Sequence, residues 1–156
     1  MTLKTAFLGA AAALMLATGG GDPARAGAQD VVAEDAWARA SIGTSRPGVA
    51  YMTLRNAGDD PVTLTGLASD LAMMPMLHKT TTDASGTSTM THVGELAIAP
   101  GQSVALEPGG LHVMLMNLRR PMIEGESFSL TLIFSDGGEM RVEVPILGLT
   151  ARGPEG

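Results

Sequence analysis

The chain has 156 residues with 10 Lys+Arg, 16 Asp+Glu and no Cys, for a formal net charge of −6. This length predicts one domain, and the acidic balance excludes a duplex nucleic-acid binder, which needs a basic footprint. The missing Cys excludes disulfides, thiolate zinc or iron–sulfur sites, a catalytic thiol and a lipid-anchored N-terminal Cys.

Lys4 precedes an almost wholly apolar run over residues 5–18, followed by a Gly-rich stretch and the tripeptide Ala24, Arg25, Ala26. That run fits the ~7–15 residues of a secretory h-region and falls short of the ~20 that span a bilayer. Residues 1–26 are therefore expected to be a cleaved signal peptide, residues 27–149 a single β domain, and residues 150–156 a flexible tail. The mature chain keeps eight basic and fifteen acidic residues, so its net charge is −7. No further apolar run reaches membrane length, and no membrane insertion of the mature chain is expected.

The remaining elements read as short strands in chain order. Alternation predicts strands over 31–41 and 50–56, with a turn-rich loop between them. Residues 56–61 are a turn by composition, and 62–68 a further strand. The stretch 71–81 is a strand that Pro75 confines to an edge or an irregular path. Residues 83–87 form a hairpin turn into a strand over 89–98. Strands over 103–106, 111–118, 127–134 and 140–146 follow, separated by Gly- and Pro-rich turns. Eight or nine close-spaced strands without a convincing amphipathic helix predict an all-β, Greek-key sandwich or barrel.

All three His fall within residues 78–112, interleaved with Met. Side chains alternate along a strand, so His112, Met114 and Met116 share one face, as do Met90 and His92. Met74 and Met76 can share the face of His78. Pairing the two arms of the 83–87 hairpin would bring His78 near Met90, and a strand bearing His112 and Met114 could complete a four-ligand site. Thioether sulfur and imidazole nitrogen both suit Cu(I), and a site without Cys excludes a blue-copper electron-transfer centre. Met52, Met122 and Met140 read instead as core filler, a role the flexible Met side chain serves well. His92 reads first as a surface residue, with an auxiliary or Cu(II) ligand as the other reading. Met74, Met76 and Met116 form a sulfur-rich rim that either limits water access or simply packs.

His78 is followed by Lys79, ten residues, Met90, twenty-one residues, then His112, Val113 and Met114. With this spacing go Ala36-Trp37-Ala38-Arg39-Ala40, Ala50-Tyr51-Met52-Thr53-Leu54 with Asn56, and Leu106-Glu107-Pro108-Gly109-Gly110. In these features the chain resembles the PCuAC family of periplasmic copper chaperones over roughly residues 36–146. The resemblance implies a cupredoxin-like Greek-key barrel, no enzymatic activity, a periplasmic location, and Cu(I) held by His78, Met90, His112 and Met114. It also implies cytochrome c oxidase subunit II as recipient, reached directly or through an intermediary thiol-bearing copper chaperone. Lys79 departs from the family, which often has Met there. In a strand Lys79 points away from the face of His78, so no primary ligand is lost. Two other readings stay open: a periplasmic copper storage or resistance protein with the same site, and an exported β-sandwich interaction module without metal. A copper or zinc enzyme is disfavoured, because no His-Glu-x-x-His motif or serine nucleophile elbow occurs.

Overall fold

A computed structural model describes residues 27–155; the expected export segment, residues 1–26, lies outside the described residues. Among the described residues a single 3-10 turn, Ala28–Asp30, leads into ten strands: β1 (Val31–Arg39), β2 (Gly48–Asn56), β3 (Val62–Ser69), β4 (Ala72–Thr82), β5 (Ser88–His92), β6 (Leu96–Ile98), β7 (Ser103–Leu106), β8 (Leu111–Leu118), β9 (Ser127–Phe134) and β10 (Glu139–Leu147). The strand order is β5-β4-β8-β7-β2-β1-β10-β9-β3-β6. β1 and β10 join its two halves by a short parallel pairing, Ala38 to Ile146 and Arg39 to Leu147. This is the expected all-β, cupredoxin-like fold.

The two halves close on one core. Leu54, Val113 and Leu115 from the first half meet Phe128, Leu130, Leu132, Val144 and Ile146 from the second, all at most 2% exposed. Met52 and Met122 are buried within it, and Met140 packs against it partly buried, as expected of core filler. Asn56 is fully buried at the end of β2. Its Nδ2 donates to the carbonyls of Asp60 and Ile98 at 2.7 and 3.0 Å, and its Oδ1 accepts from the Gly58 N–H at 3.0 Å. One amide side chain thereby ties the β2–β3 turn to β6, with its polar capacity used rather than stranded.

Three local features differ from the sequence expectation or refine it. The run 89–98 is two strands in different halves of the fold. β5 pairs with β4 and β6 with β3, and the chain crosses between them through Val93, Gly94 and Glu95. In β1 the register shifts between Glu34 and Trp37, where Asp35 takes φ 52°. This bulge reverses the alternation, so Val31 and Ala38 both face the core while Trp37 turns outward against Tyr51, ring centroids 4.6 Å apart. At the C-terminus Ala151 is buried beside that aromatic pair, and its carbonyl accepts from Arg39 Nε at 2.7 Å. The chain is thus tied down at the second residue of the expected tail.

Pro75 lies inside β4 without breaking it. The Thr80 N–H donates to Gly110 on the β8 side, and the Leu77 carbonyl accepts from Val93 on the β5 side. Backbone groups alternate sides along a strand, so the Pro75 nitrogen faces the β5 side. The β4–β5 ladder ends at His78 and His92, so no donor is needed there.

Candidate metal centre

β8, β4 and β5 run side by side, antiparallel and in regular register. Val113, Leu115 and Leu77 point into the core, so the residues alternating with them stand on the outer face. Residues directly opposite one another share a face, which makes the outer surface a set of cross-strand rows. One row is His92, His78 and His112; the next is Met76 and Met114, extended by Val49 of β2; the third is Met74 and Met116. On the other side of the His row stand Met90 and Thr80. All three His and five of the Met thus occupy one continuous surface. Lys79 pairs with Thr91 and Leu111 on the opposite face, as its parity requires.

His78 is the middle member of its row. Its ring centroid lies 5.7 Å from that of His92 and 6.1 Å from that of His112, the latter ring nearly parallel to it. The Nδ1 of His78 is closed off from solvent and has no hydrogen-bond partner among the described residues. Such an orphaned polar atom is costly in a folded protein unless function requires it. Burial pushes the His78 imidazole below the usual histidine range, and the charges of His112 and His92 push it the same way. The Met76 carbonyl pulls weakly in the other direction without making a hydrogen bond to Nδ1. His78 therefore stays neutral, the form that carries a ligating lone pair.

His112 is 5% exposed, and its Nδ1 lies 3.0 Å from the Gly110 carbonyl. A carbonyl can only accept, so Nδ1 carries the proton and Nε2 keeps its lone pair for a ligand. This bond holds ring orientation and tautomer together, the arrangement usual for a metal-ligating His. It follows from the turn before β8, where Gly109 at φ 84° and Gly110 bring the chain back to its own strand.

The four residues singled out by spacing are arranged unequally. His78 and His112 are direct cross-strand neighbours, and Met114 stands two residues along β8 on the same face. Met90 is the diagonal neighbour of His78 rather than its direct partner, which is His92. A diagonal neighbour sits ~7–8 Å away, within reach of a long flexible side chain. Met90 is 51% exposed on β5, every residue of which is exposed. His92 and Met76 were given lesser parts by sequence, yet they flank His78 and Met114 directly. Their even spacing from His78 and Met90 was the available signal, but register is set by the turn. The 83–87 turn is held by Asp83, whose Oδ1 accepts from the backbone of Ser85 and Thr87 at 2.9 Å each.

Among the described residues no group of three or more His, Asp or Glu is arranged to hold a metal ion by itself. The soft thioethers are therefore central to what this face can bind. A set of neutral imidazole and thioether donors suits a soft monovalent cation and offers little to hard, oxygen-seeking ions.

The family model described as "Putative lipoprotein LpqE-like" matches residues 31–146. A curated relative, "Putative lipoprotein Lxx21020" of Leifsonia xyli subsp. xyli, is 35% identical over 120 residues, covering 76% of this chain and 70% of its own. Among solved structures, the Cu(I) form of DR1885 from Deinococcus radiodurans is 39% identical with a TM-score of 0.57, covering 77% of this chain and 81% of that one. The copper-bound PCuAC domain from PmoF2 is 24% identical with a TM-score of 0.63, covering 76% of this chain and 93% of that one, a likeness of fold. No helix among the described residues is long and apolar enough to cross a membrane. The three-strand His/Met face thus sits on a scaffold shared with copper-bound structures, and the chain belongs to the LpqE-like family and has the PCuAC fold.

Proposed function

We propose that this protein is an exported Cu(I) chaperone that holds one ion through His78, Met90, His112 and Met114 and passes it to a copper-requiring recipient. The observation that carries this reading is the pairing of His78, with its orphaned Nδ1, against His112, whose Nε2 is left free, beside thioethers on the same outer face. The 39% identity to a protein solved in its Cu(I) form supports it.

The activity is binding and transfer, without a bond-making step. Cu(I) tolerates low coordination numbers, so ligands leave one at a time as a partner's ligands arrive. Met90, on the exposed edge strand, is the ligand that leaves first. His112, buried and oriented by Gly110, leaves last. The recipient in this reading is the dinuclear copper centre of cytochrome c oxidase subunit II, loaded directly or through a thiol-bearing chaperone. Export of the chain to the periplasm belongs to the same proposal and rests on the apolar N-terminal run and on the lipoprotein relatives.

The test is an anaerobic Cu(I) competition titration against a chromophoric chelator. One tightly bound Cu(I) is expected, strongly weakened in His78→Ala, Met90→Ala, His112→Ala and Met114→Ala. Unchanged affinity in all four variants would refute the site. Loss of oxidase activity on gene deletion under copper limitation supports delivery, whereas copper sensitivity alone supports storage.

A further inference from the structure

Among the described residues, two kinds of Met differ by location. Met52 and Met122 are 2% and 1% exposed and fill the core. Met74 is 50% exposed, and Met76, Met114 and Met116 are half-buried on the outer face. Gap-filling explains the first kind, since an irregular interior rewards a flexible side chain. It does not explain the second, because a partly exposed face has no closed gap to fill.

The second kind is ordered. Met76 stands directly opposite Met114, and Met74 directly opposite Met116, in successive rows of β4 and β8. Directly opposed Cβ atoms lie ~4.5–5.5 Å apart, so each pair of thioethers can turn its sulfurs onto a common ion. Asn117 Nδ2 donates to the Met74 sulfur at 3.4 Å, which holds that sulfur at the end of the block and leaves its second lone pair free. Asn117 reaches this position from φ 54°, a left-handed conformation that Asn tolerates better than most residues.

We propose that Met74, Met76 and Met116 form a second station for a soft monovalent cation, Cu(I), made of thioethers alone. Met114 lies between this station and the imidazole row and is the ligand through which an ion steps from one to the other. The Met74 row is four residues along the strand from the His78 row, about 13 Å at strand rise. Met76 of the outer station faces Met114 of the inner site, so the two ions stand closer than this span and their repulsion adds to the weaker hold on the outer one. With thioethers as its only ligands the outer station binds more weakly than the His/Met site, which suits a point of entry or exit.

This inference rests on the copper reading of the face, and stoichiometry separates the two. In anaerobic Cu(I) titration of the purified protein, followed by chelator competition and native mass spectrometry, two equivalents are expected, one tight and one weak. Met74→Leu with Met116→Leu keeps volume and apolarity. It should weaken the second equivalent by more than the ~10–100-fold that loss of a supporting group costs, and leave the first within about threefold. His78→Ala with His112→Ala should remove the tight equivalent and retain the weak one. Met73→Leu, 63% exposed but of opposite parity, should change neither. On the unmodified protein, Ag(I) should shift the Met74 and Met116 methyl resonances only after the first equivalent is bound, a readout independent of how the variants fold. A single equivalent, or a second one indifferent to the Met74/Met116 pair, overturns the outer station and leaves the His/Met site standing. No bound Cu(I) at all overturns both.

Discussion

Replacing His78 by Phe should stabilise the metal-free protein while abolishing tight Cu(I) binding at the imidazole site, so that copper reverses the stability order of the two proteins. The His78 Nδ1 is sealed from solvent without a hydrogen bond, and such a group costs ~1–3 kcal/mol. Phe keeps the planar ring, removes the orphan, and removes the repulsion His78 would feel from His92 and His112 if charged. Because His78 is only partly buried, the lower end of that range applies, about 1 kcal/mol. In a domain of this size that corresponds to roughly 3–4 °C in Tm. Wild type in free Cu(I) at a thousandfold Kd gains ~4.1 kcal/mol by mass action, and the variant gains none from this site. The gap should therefore swing by about 4 kcal/mol, from variant-favouring by about 1 to wild-type-favouring by about 3. Anaerobic urea titrations followed by circular dichroism, with and without Cu(I), measure both ends. A metal-free variant less stable than wild type by 1 kcal/mol or more, at unchanged m-value, would show that Nδ1 is not a cost carried for a ligand.

Met114→Leu should weaken Cu(I) binding with stability changed by less than about 1 kcal/mol, whereas Val113→Ala, at a position with no exposure, should cost about 1.5–3 kcal/mol and spare copper. Parallel melts and chelator titrations read the two variants against each other, and equal copper loss in both would contradict the assignment of faces. Asn56→Ala strands the Asp60 and Ile98 carbonyls and the Gly58 N–H, so an unfolding cost of about 2–4 kcal/mol is expected in denaturant titration. For pH, the depressed His78 value means that the folded state binds fewer protons than the unfolded chain. Its contribution to stability is present above the ordinary histidine value and is lost as pH falls through the lowered one. Cu(I) affinity should fall over the same acid range as protons compete for the His78 imidazole, and His78→Phe should flatten the stability profile there. Copper transfer to a basic partner should slow from low to high salt if the acidic surface steers encounter, and an unchanged rate excludes steering.

Much of the fold was legible because local patterning and tertiary packing agree. β7, β8 and β9 fall on the residues that alternation assigns to them, since their apolar positions are the ones the core buries. The run 89–98 misled because both of its parts have strand-like composition. Only the need to cover two separate sheet edges, one beside β4 and one beside β3, explains the break at Gly94. The bulge at Asp35 was equally hidden. A single extra residue reverses which side chains face inward without leaving a trace in composition.

By itself the sequence determined which chemistry is possible here. It supplies imidazoles and thioethers without a thiol, spaces them at parities that put His78, Met90, His112 and Met114 on shared strand faces, and surrounds them with turns that force antiparallel pairing. Tertiary structure decided which of these groups are neighbours. Register made His92, not Met90, the direct partner of His78, set Met76 against Met114, and stacked Met74 on Met116. Burial and the Gly110 carbonyl then settled how the rings differ, leaving one nitrogen of His78 without a partner and one nitrogen of His112 free. The reason is that parity is a property of a single strand. Cross-strand register and solvent exclusion exist only once separate strands have been packed together.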